Sequence, residues 1–386
     1  MACLPVFAVL VLILRALAPV YLVRFQELFG SRIGHFAIEP EMYLARIELA
    51  GGKTRGIDLF YLDAGNLCNE QLARMWTRKL CISRWARPLH RVNKLFPGWE
   101  RHEIPWQDLY GPQDDELSRT APHLAFTTAE IVHGETVLRT ILGDRTGPVV
   151  CVFNRDSAYL EQHSPGRSWR YHDFRDADIE NYIPAMEWLA AKGYVVFRMG
   201  AVVKSALPKG LHPNIIDYAT QYRSDFMDVF LIYRCAFQIV AASGPANLGT
   251  VFRKAQAWAN VAPLLSATVP KVHPGELVMP KLYRYDKEDR FLSIKEIAGM
   301  GLTNISTTQD LESAGVTVAQ NDATDILNLT KELEGGASGG LTYTDEDRAL
   351  QRRFWIDSGW DPELAAGCPQ PSPSFLRRHR DVLFDR

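Results

Sequence analysis

The chain has 386 residues, 47% of them apolar and 23% charged, which excludes a disordered or fibrous protein and leaves room for two domains at roughly 100–200 residues each. Its 43 basic residues stand against 45 acidic ones, a formal charge of -2, so no global field draws nucleic acid and any anion has to be held locally. Cys3, Cys68, Cys81, Cys151, Cys235 and Cys368 are scattered, with no C-x-x-C pair and no clustered histidines. That argues against a disulfide framework or a zinc site, and for reduced thiols in a cytosolic setting.

The first segment, "LPVFAVLVLILRALAPVYLV", is almost wholly apolar, but Arg15 and Pro19 interrupt it. The stretch before Arg15 falls short of the ~18 residues that a spanning helix needs. With no basic leader before it and no small-residue cleavage site after it, a removed signal peptide is not expected. Residues 1–24 are left as an anchor or interfacial helix, or as a buried N-terminal helix. Arg15, Arg24 and Arg32 favour a cytoplasmic location for its C-terminal side.

Next, "SRIGHFAIEPEMYLAR" reads as a strand or loop up to Pro40 that feeds a helix through Met42, Tyr43 and Leu44. Ile57 to Leu62 form an apolar strand closed by the turn Asp63-Ala64-Gly65. Leu72, Met75, Trp76 and Leu80 recur at helical spacing, and Thr127 with Glu130 opens a further helix through a capping box. Strand and helix alternate, which makes residues 25–147 an α/β domain.

Gly143 to Pro148 is a turn-rich connector, and the strand Val149 to Phe153 starts a second α/β domain over 148–340. Pro184 suits a first helical turn and Gly193 its end. "YVVFRM", "NIIDY" and "FQIVAA" are strands; "RSDFMDVFLIYRC" is a helix capped by Ser224 or Asp225, "PANLGTVFRKA" is another, and "AQAWAN" closes the series. "GVTVAQNDATDILNLTKELEGG" adds a late strand and helix. The tail, 341–386, holds a helix capped at Thr344, the proline-rich link "CPQPSPS" and a basic turn.

Such alternation predicts a parallel sheet, and open parallel sheets bind ligands beyond the carboxyl ends of their strands. Those ends are Asn154-Arg155-Asp156, Arg198-Met199-Gly200 and Ser243-Gly244-Pro245. Arg155, Arg198 and a helix starting just past Ser243 and Gly244 suit a diphosphate, through guanidinium hydrogen bonds and backbone N–H groups. The plainer reading of Ser-Gly-Pro is a tight turn, of Asp156 a partner for Arg155, and of Asp225 a helix cap. Asp176 and Asp178 in "RDAD" have the spacing of a divalent-metal pair, but a polar stretch rather than an apolar strand precedes them, so no metal is expected.

The run from "RDADIENYIPAMEWLAAKGYVVFRMG" to "RSDFMDVFLIYRCAFQIVAASG", with "RIGHFAIEPEMYL" before it and "LTYTDEDRALQRRFW" after it, resembles a family of bacterial glycosyltransferases associated with surface-polysaccharide biosynthesis. It is also distantly similar to the donor segment of GT-B fucosyltransferases. The resemblance implies an α/β fold of two Rossmann-like domains facing a cleft, with a C-terminal helix returning to the body. It implies a nucleotide-diphosphate sugar held by the second domain as substrate, no cofactor, and a glycan or lipid-linked acceptor. Asn154, Arg155, Asp156 and Ser157 match the strand-end motif, Ser224 and Asp225 the helix start, and Ser243 and Gly244 the turn. Gly34, His35 and Glu39 match an acceptor-side loop, with His35 as general base and Glu39 or Glu41 in reserve. Pro245-Ala246-Asn247 departs from the family's glycine or aliphatic residue at this point.

The expectation is a metal-independent glycosyltransferase, cytoplasmic, with the inner membrane face as a further contact and no nucleic-acid partner. A nucleotide-sugar epimerase of the same fold and a catalytically inactive membrane-associated assembly factor are the alternatives.

Overall fold

The computed structural model describes residues 4–52, 55–110, 115–158, 170–264, 272–273, 275–305, 307–337, 339–340 and 342–384. The chain forms two compact units, Met1–His133 with Thr250–Phe252, and Gly134–Gly249 with Arg253–Arg386. Each is α/β and built on a parallel sheet, as the alternating pattern predicts.

In the first unit the apolar N-terminal run divides into a helix α1 (Leu4–Leu17) and a strand β1 (Leu22–Leu28), with Pro19 in the turn between them. A helix α2 (Ile33–Leu49), β2 (Gly56–Leu62), α3 (Glu70–Thr77), β3 (Cys81–Ile82) and α4 (Ala86–Asn93) follow. The sheet order is β1-β2-β3, all parallel. Gly56 opens β2 because a Cβ there would lie 2.1 Å from the Leu22 carbonyl. Val23, Phe25, Tyr61 and Ala86 are buried together, with Leu14 of α1 and Leu89 of α4 packed against them. Among the described residues no helix is long and apolar enough to cross a membrane.

One expectation fails here. Gly34, His35 and Glu39 lie on helix, not on a loop, because α2 runs from Ile33 straight through Pro40. A proline inside a helix removes the N–H owed to the carbonyl four residues back. That carbonyl, Phe36 O, instead accepts the indole N–H of Trp76 at 2.7 Å, a group that α3 supplies from 40 residues away. With its acceptor satisfied, the helix continues.

The second unit holds a seven-stranded sheet, every pairing parallel. Its strands are β4 (Val149–Phe153), β5 (Val195–Arg198), β6 (Ile215–Ile216), β7 (Phe237–Ala241), β8 (Ala255–Val261), β9 (Leu277–Pro280) and, after β10 to β12 below, β13 (Gln370–Pro371). The order is β13-β9-β8-β7-β4-β5-β6. From β4 the chain builds outward through β5 to β6, then returns to the other side of β4 and builds outward again from β7. This is the Rossmann order, with its reversal between β4 and β7. Every residue of β4, β5, β7 and β8 is buried, which explains why these strands read as unbroken apolar runs.

The helices between them obey the local signals. Ser224 caps Asp225–Arg234 by accepting the Met227 N–H at 3.2 Å. Pro184 stands in the first turn of Ile183–Ala191, and Gly193 just after it has φ of 92°. Thr344 and Asp347 form a capping box at the start of Asp345–Asp357. Two features differ from expectation. The sheet does not close at "AQAWAN", since β9 and β13 extend it, and the proline-rich link supplies β13 as an edge strand, where proline is tolerated. The late strand β12 (Val316–Ala319) joins β10 (Leu282–Tyr285) and β11 (Arg290–Phe291) in a separate antiparallel sheet. The described cysteines are free thiols, with Cys151, Cys235 and Cys368 buried; burial, then neighbouring Cys235, pushes the Cys151 thiol well up.

Candidate functional site

The reversal between β4 and β7 is where an open α/β sheet leaves a crevice at its carboxyl edge. At the end of β4, Asn154 Nδ2 donates to Ala177 O at 3.0 Å, and the Ala177 N–H donates to Arg155 O at 2.9 Å. These bonds lay the segment Arg175-Asp176-Ala177 along the strand end. Arg155 Nε then donates to Asp176 Oδ1 at 3.1 Å.

Two further cations converge on the same segment. Arg175 donates through Nη2 to Ala242 O, just past the end of β7, at 2.9 Å. Its Nε is buried with no partner among the described residues. Lys281 follows β9, is almost fully buried, and donates from Nζ to the carbonyl of Asp176. Arg155 thus pairs with the Asp176 carboxylate, Lys281 holds the Asp176 backbone carbonyl, and Arg175 is the residue before it, with Asp173 acting on Asp176 and Asp178 on Lys281 as further carboxylates. Asp178 is turned to Gln320, which donates to it at 2.6 Å and accepts its N–H at 2.8 Å.

Burial shifts three of these groups. Burial and, after it, the charge of Arg155 lower Arg175 to about 10, with Asp176 only partly offsetting them. Burial likewise lowers Lys281 to about 8. Burial raises Asp176 to about 6 against the pull of Arg155, with Asp173 adding to the rise. A group of cations disfavoured by burial and by one another, with a buried N–H unmatched, is stabilised by an arriving anion. No set of three His, Cys, Asp or Glu side chains able to hold a metal ion occurs among the described residues.

The other sequence candidates have different places. Arg198 is fully buried inside β5, donating to Asp217 Oδ1 at 3.0 Å and to Ser205 O at 3.1 Å. Asp217 also accepts from the Leu207 N–H and the Thr220 hydroxyl, so this pair pins the segment after β5. The Arg198 side chain points into the protein, where Nη1 and Nη2 are bonded, while its Nε, like that of Arg175, is buried with no partner among the described residues. Asp156 is not the partner of Arg155; it accepts the N–H groups of Ala158 and Lys204, both at 3.1 Å, and ties the ends of β4 and β5 together. Ser157 is half-buried next to it. Ser224 is engaged as the cap, and Asp225 accepts from Arg223 at 2.6 Å.

Ser243 and Gly244 form the tight turn that was the plainer reading. The Ser243 hydroxyl donates to Ala241 O, and the carbonyls of Ser243, Gly244 and Pro245 accept the N–H groups of Ala246, Asn247 and Leu248 at 3.1–3.2 Å. The first N–H groups of the short helix Ala246–Val251 are therefore taken by the turn itself.

In the first unit, α2 sets His35 and Glu39 one turn apart, with His35 Nδ1 2.5 Å from Glu39 Oε1. Glu39 is buried and His35 is half exposed. A carboxylate at Nδ1 assigns the proton there and leaves Nε2 as the acceptor nitrogen, the tautomer a general base needs. Glu41 is held elsewhere, by the backbone N–H and Nδ1 of His123, both at 3.2 Å.

Two hollows of the second unit, about 340 and 480 Å³, lie at the opposite, amino edge of the sheet, beside Pro148 and Ala236. The partly buried cations are at the carboxyl edge, and chemistry rather than volume marks the candidate. Arg175 and Lys281 were missed by the sequence reading. Arg175 ends a short 3-10 helix and Lys281 lies between β9 and β10; only the tertiary contacts, to Ala242 O and Asp176 O, distinguish them.

No family model matches the chain, and no curated protein matches it. Among solved structures, the glycosyl transferase family 9 protein of Veillonella parvula aligns over 68% of this chain and 86% of its own, at 10% identity and a TM-score of 0.38.

Proposed function

We propose that the second unit holds the diphosphate of a nucleotide-sugar donor at the β4–β7 reversal, and that the chain is a glycosyltransferase passing the sugar to a hydroxyl of a glycan or lipid-linked acceptor. The observation that carries this reading is the gathering of three partly buried cations, Arg155, Arg175 and Lys281, at that point of the sheet, with the Arg175 Nε buried and without a partner among the described residues.

Breaking the glycosidic bond increases the negative charge on the departing diphosphate. Fixed cations in a partly dry site stabilise that charge more than water does, because they need no reorganisation as it develops. Arg155 and Arg175 offer planar, directional donors, and Lys281 a compact charge. Asn154 and Asp156 act as positioning residues that hold the loops bearing these cations. His35, oriented by Glu39, is assigned the acceptor hydroxyl's proton, a role that contributes roughly 10²–10⁴-fold when a base is well placed.

The test is a thermal-shift series with nucleoside diphosphates and their sugars on the wild type and on Arg175→Gln. A ligand that binds only the folded state at a hundredfold over Kd stabilises by about 2.7 kcal/mol. The expected result is a clear rise in Tm with at least one base, lost in the variant while its ligand-free Tm is kept. No rise with any nucleoside diphosphate, or an equal rise in the variant, overturns the reading. Incubation with the donor alone separates transfer from epimerisation, since an epimerase forms product without an acceptor.

A further inference from the structure

We infer that the first unit seats the outer face of α1 on an anionic lipid bilayer, as a contact lying on the membrane rather than a span. A helix exposed on one side ordinarily carries polar residues there. In α1 the inner face, with Val11 and Leu14, packs against the body, while Val6, Val9, Leu10, Ile13 and Leu17 on the other face are 43–60% exposed. Residues 1–26 contain Arg15 and Arg24 and no acidic side chain. Both arginines are turned inward, Arg15 to Asn93 and the Pro97 carbonyl and Arg24 to Asp58, so the outer face is left wholly apolar.

The surroundings identify the occupant. At one end of α1, Trp85 is exposed with its ring 6.4 Å from that of Phe7, and the Arg84 guanidinium lies 5.0 Å over it. At the other end Tyr21 is exposed, and Arg101 reaches the Ala18 carbonyl at 3.5 Å. Arg84 and Arg101 are both exposed, and neither forms an ion pair among the described residues. An apolar strip rimmed by amphipathic rings and unmatched cations has the chemistry of an interfacial helix: hydrocarbon takes the strip, the boundary takes the rings and headgroup phosphates take the cations. A protein partner or a second copy would need only the apolar area and leaves the two arginines unexplained. Over its described 14 residues the helix extends about 21 Å against a hydrocarbon core of about 30 Å, and no helix among the described residues is long and apolar enough to cross.

The experiment is flotation of the full chain with vesicles of phosphatidylcholine alone and of phosphatidylcholine mixed with phosphatidylglycerol, alongside its sedimentation without lipid. The wild type is expected to float with the mixed vesicles and at least about tenfold less with the neutral ones. Val9→Glu with Ile13→Glu, both on exposed positions, should abolish flotation at an unchanged Tm. Arg84→Gln with Arg101→Gln should lower partition to the anionic vesicles by roughly 25-fold, about fivefold per charge, and leave the neutral ones alone. Flotation that persists in the glutamate variant, or no flotation of the wild type, overturns the inference. So does a wild-type dimer that the glutamate pair makes monomeric while neither floats, because the face is then a self-contact. Nucleoside-diphosphate binding is read separately, so this contact and the proposed activity fail independently.

Discussion

Two neighbouring strands of the large sheet each present an arginine at the carboxyl edge, and the two have opposite fates. β4 and β5 pair in parallel with Val152 opposite Arg198, and Arg155 follows three residues after Val152. Arg198 is inside, about 1% exposed, against one carboxylate that is itself held by two further donors. Arg155 is 15% exposed and pairs with Asp176, on which Lys281 and Asp173 also act. One arginine closes a loop onto the sheet; the other stands with two further cations at the β4–β7 reversal. A fully buried arginine fixed to a buried carboxylate is architecture, whereas several cations at a topological reversal are a candidate for binding; Arg198 and Arg175 both keep a buried Nε with no partner among the described residues.

The comparison can be broken most directly at Arg198. Arg198→Met leaves Asp217 buried without its partner and should destabilise the second unit by about 3–5 kcal/mol, read as a lowered denaturation midpoint in urea. If stability holds and only nucleotide affinity drops, the two arginines have been assigned the wrong way round. Arg155→Ala should do the reverse, weakening nucleoside-diphosphate binding by tenfold to a hundredfold, or about 1.4–2.8 kcal/mol in titration calorimetry, at nearly unchanged stability.

The gathered cations also set a pH dependence. Lys281 has its folded-state value lowered to about 8, so its charge is complete below that pH and is lost as pH rises through it. Affinity for a diphosphate should therefore fall above pH about 8, by roughly fivefold to tenfold for one charge at close range. Lys281→Arg should flatten the profile over that range, because guanidinium stays protonated. A wild-type profile that is level from neutral pH to well above 8 would remove Lys281 from the site.

The smallest effect concerns Ser224, whose likeness to a donor-binding motif competes with its geometry as a cap. Ser224→Ala should cost about 0.5–1 kcal/mol of stability, read by denaturation, and leave nucleotide affinity where it was. A loss of affinity without loss of stability would return Ser224 to the binding surface.

Much of the fold could be read in advance. The unbroken apolar runs of β4 and β7 announce buried parallel strands, and Thr127 with Glu130 forms the expected capping box, at 2.8 and 3.2 Å. The candidate site was legible in part. Arg155 is at the strand end where a ligand was expected, and His35 is joined to Glu39, though on a helix. Arg175 gave no signal, being one arginine in the polar stretch "RYHDFR", and Lys281 stands in a strand-rich stretch that was not anticipated.

What the chain alone determines are the features that depend on residues within about four positions: periodicity, caps, turn glycines and the near-neutral charge that requires any anion to be held locally. What tertiary structure decides is where partners come from. The indole of Trp76 lets α2 pass through Pro40, strand order brings Lys281 to the Asp176 carbonyl and the Ala242 carbonyl to Arg175, and Asp217 draws Arg198 inward. The physical reason is that the state of a charge or a carbonyl depends on its burial and on which group meets it, and both are set by packing between segments far apart in the chain.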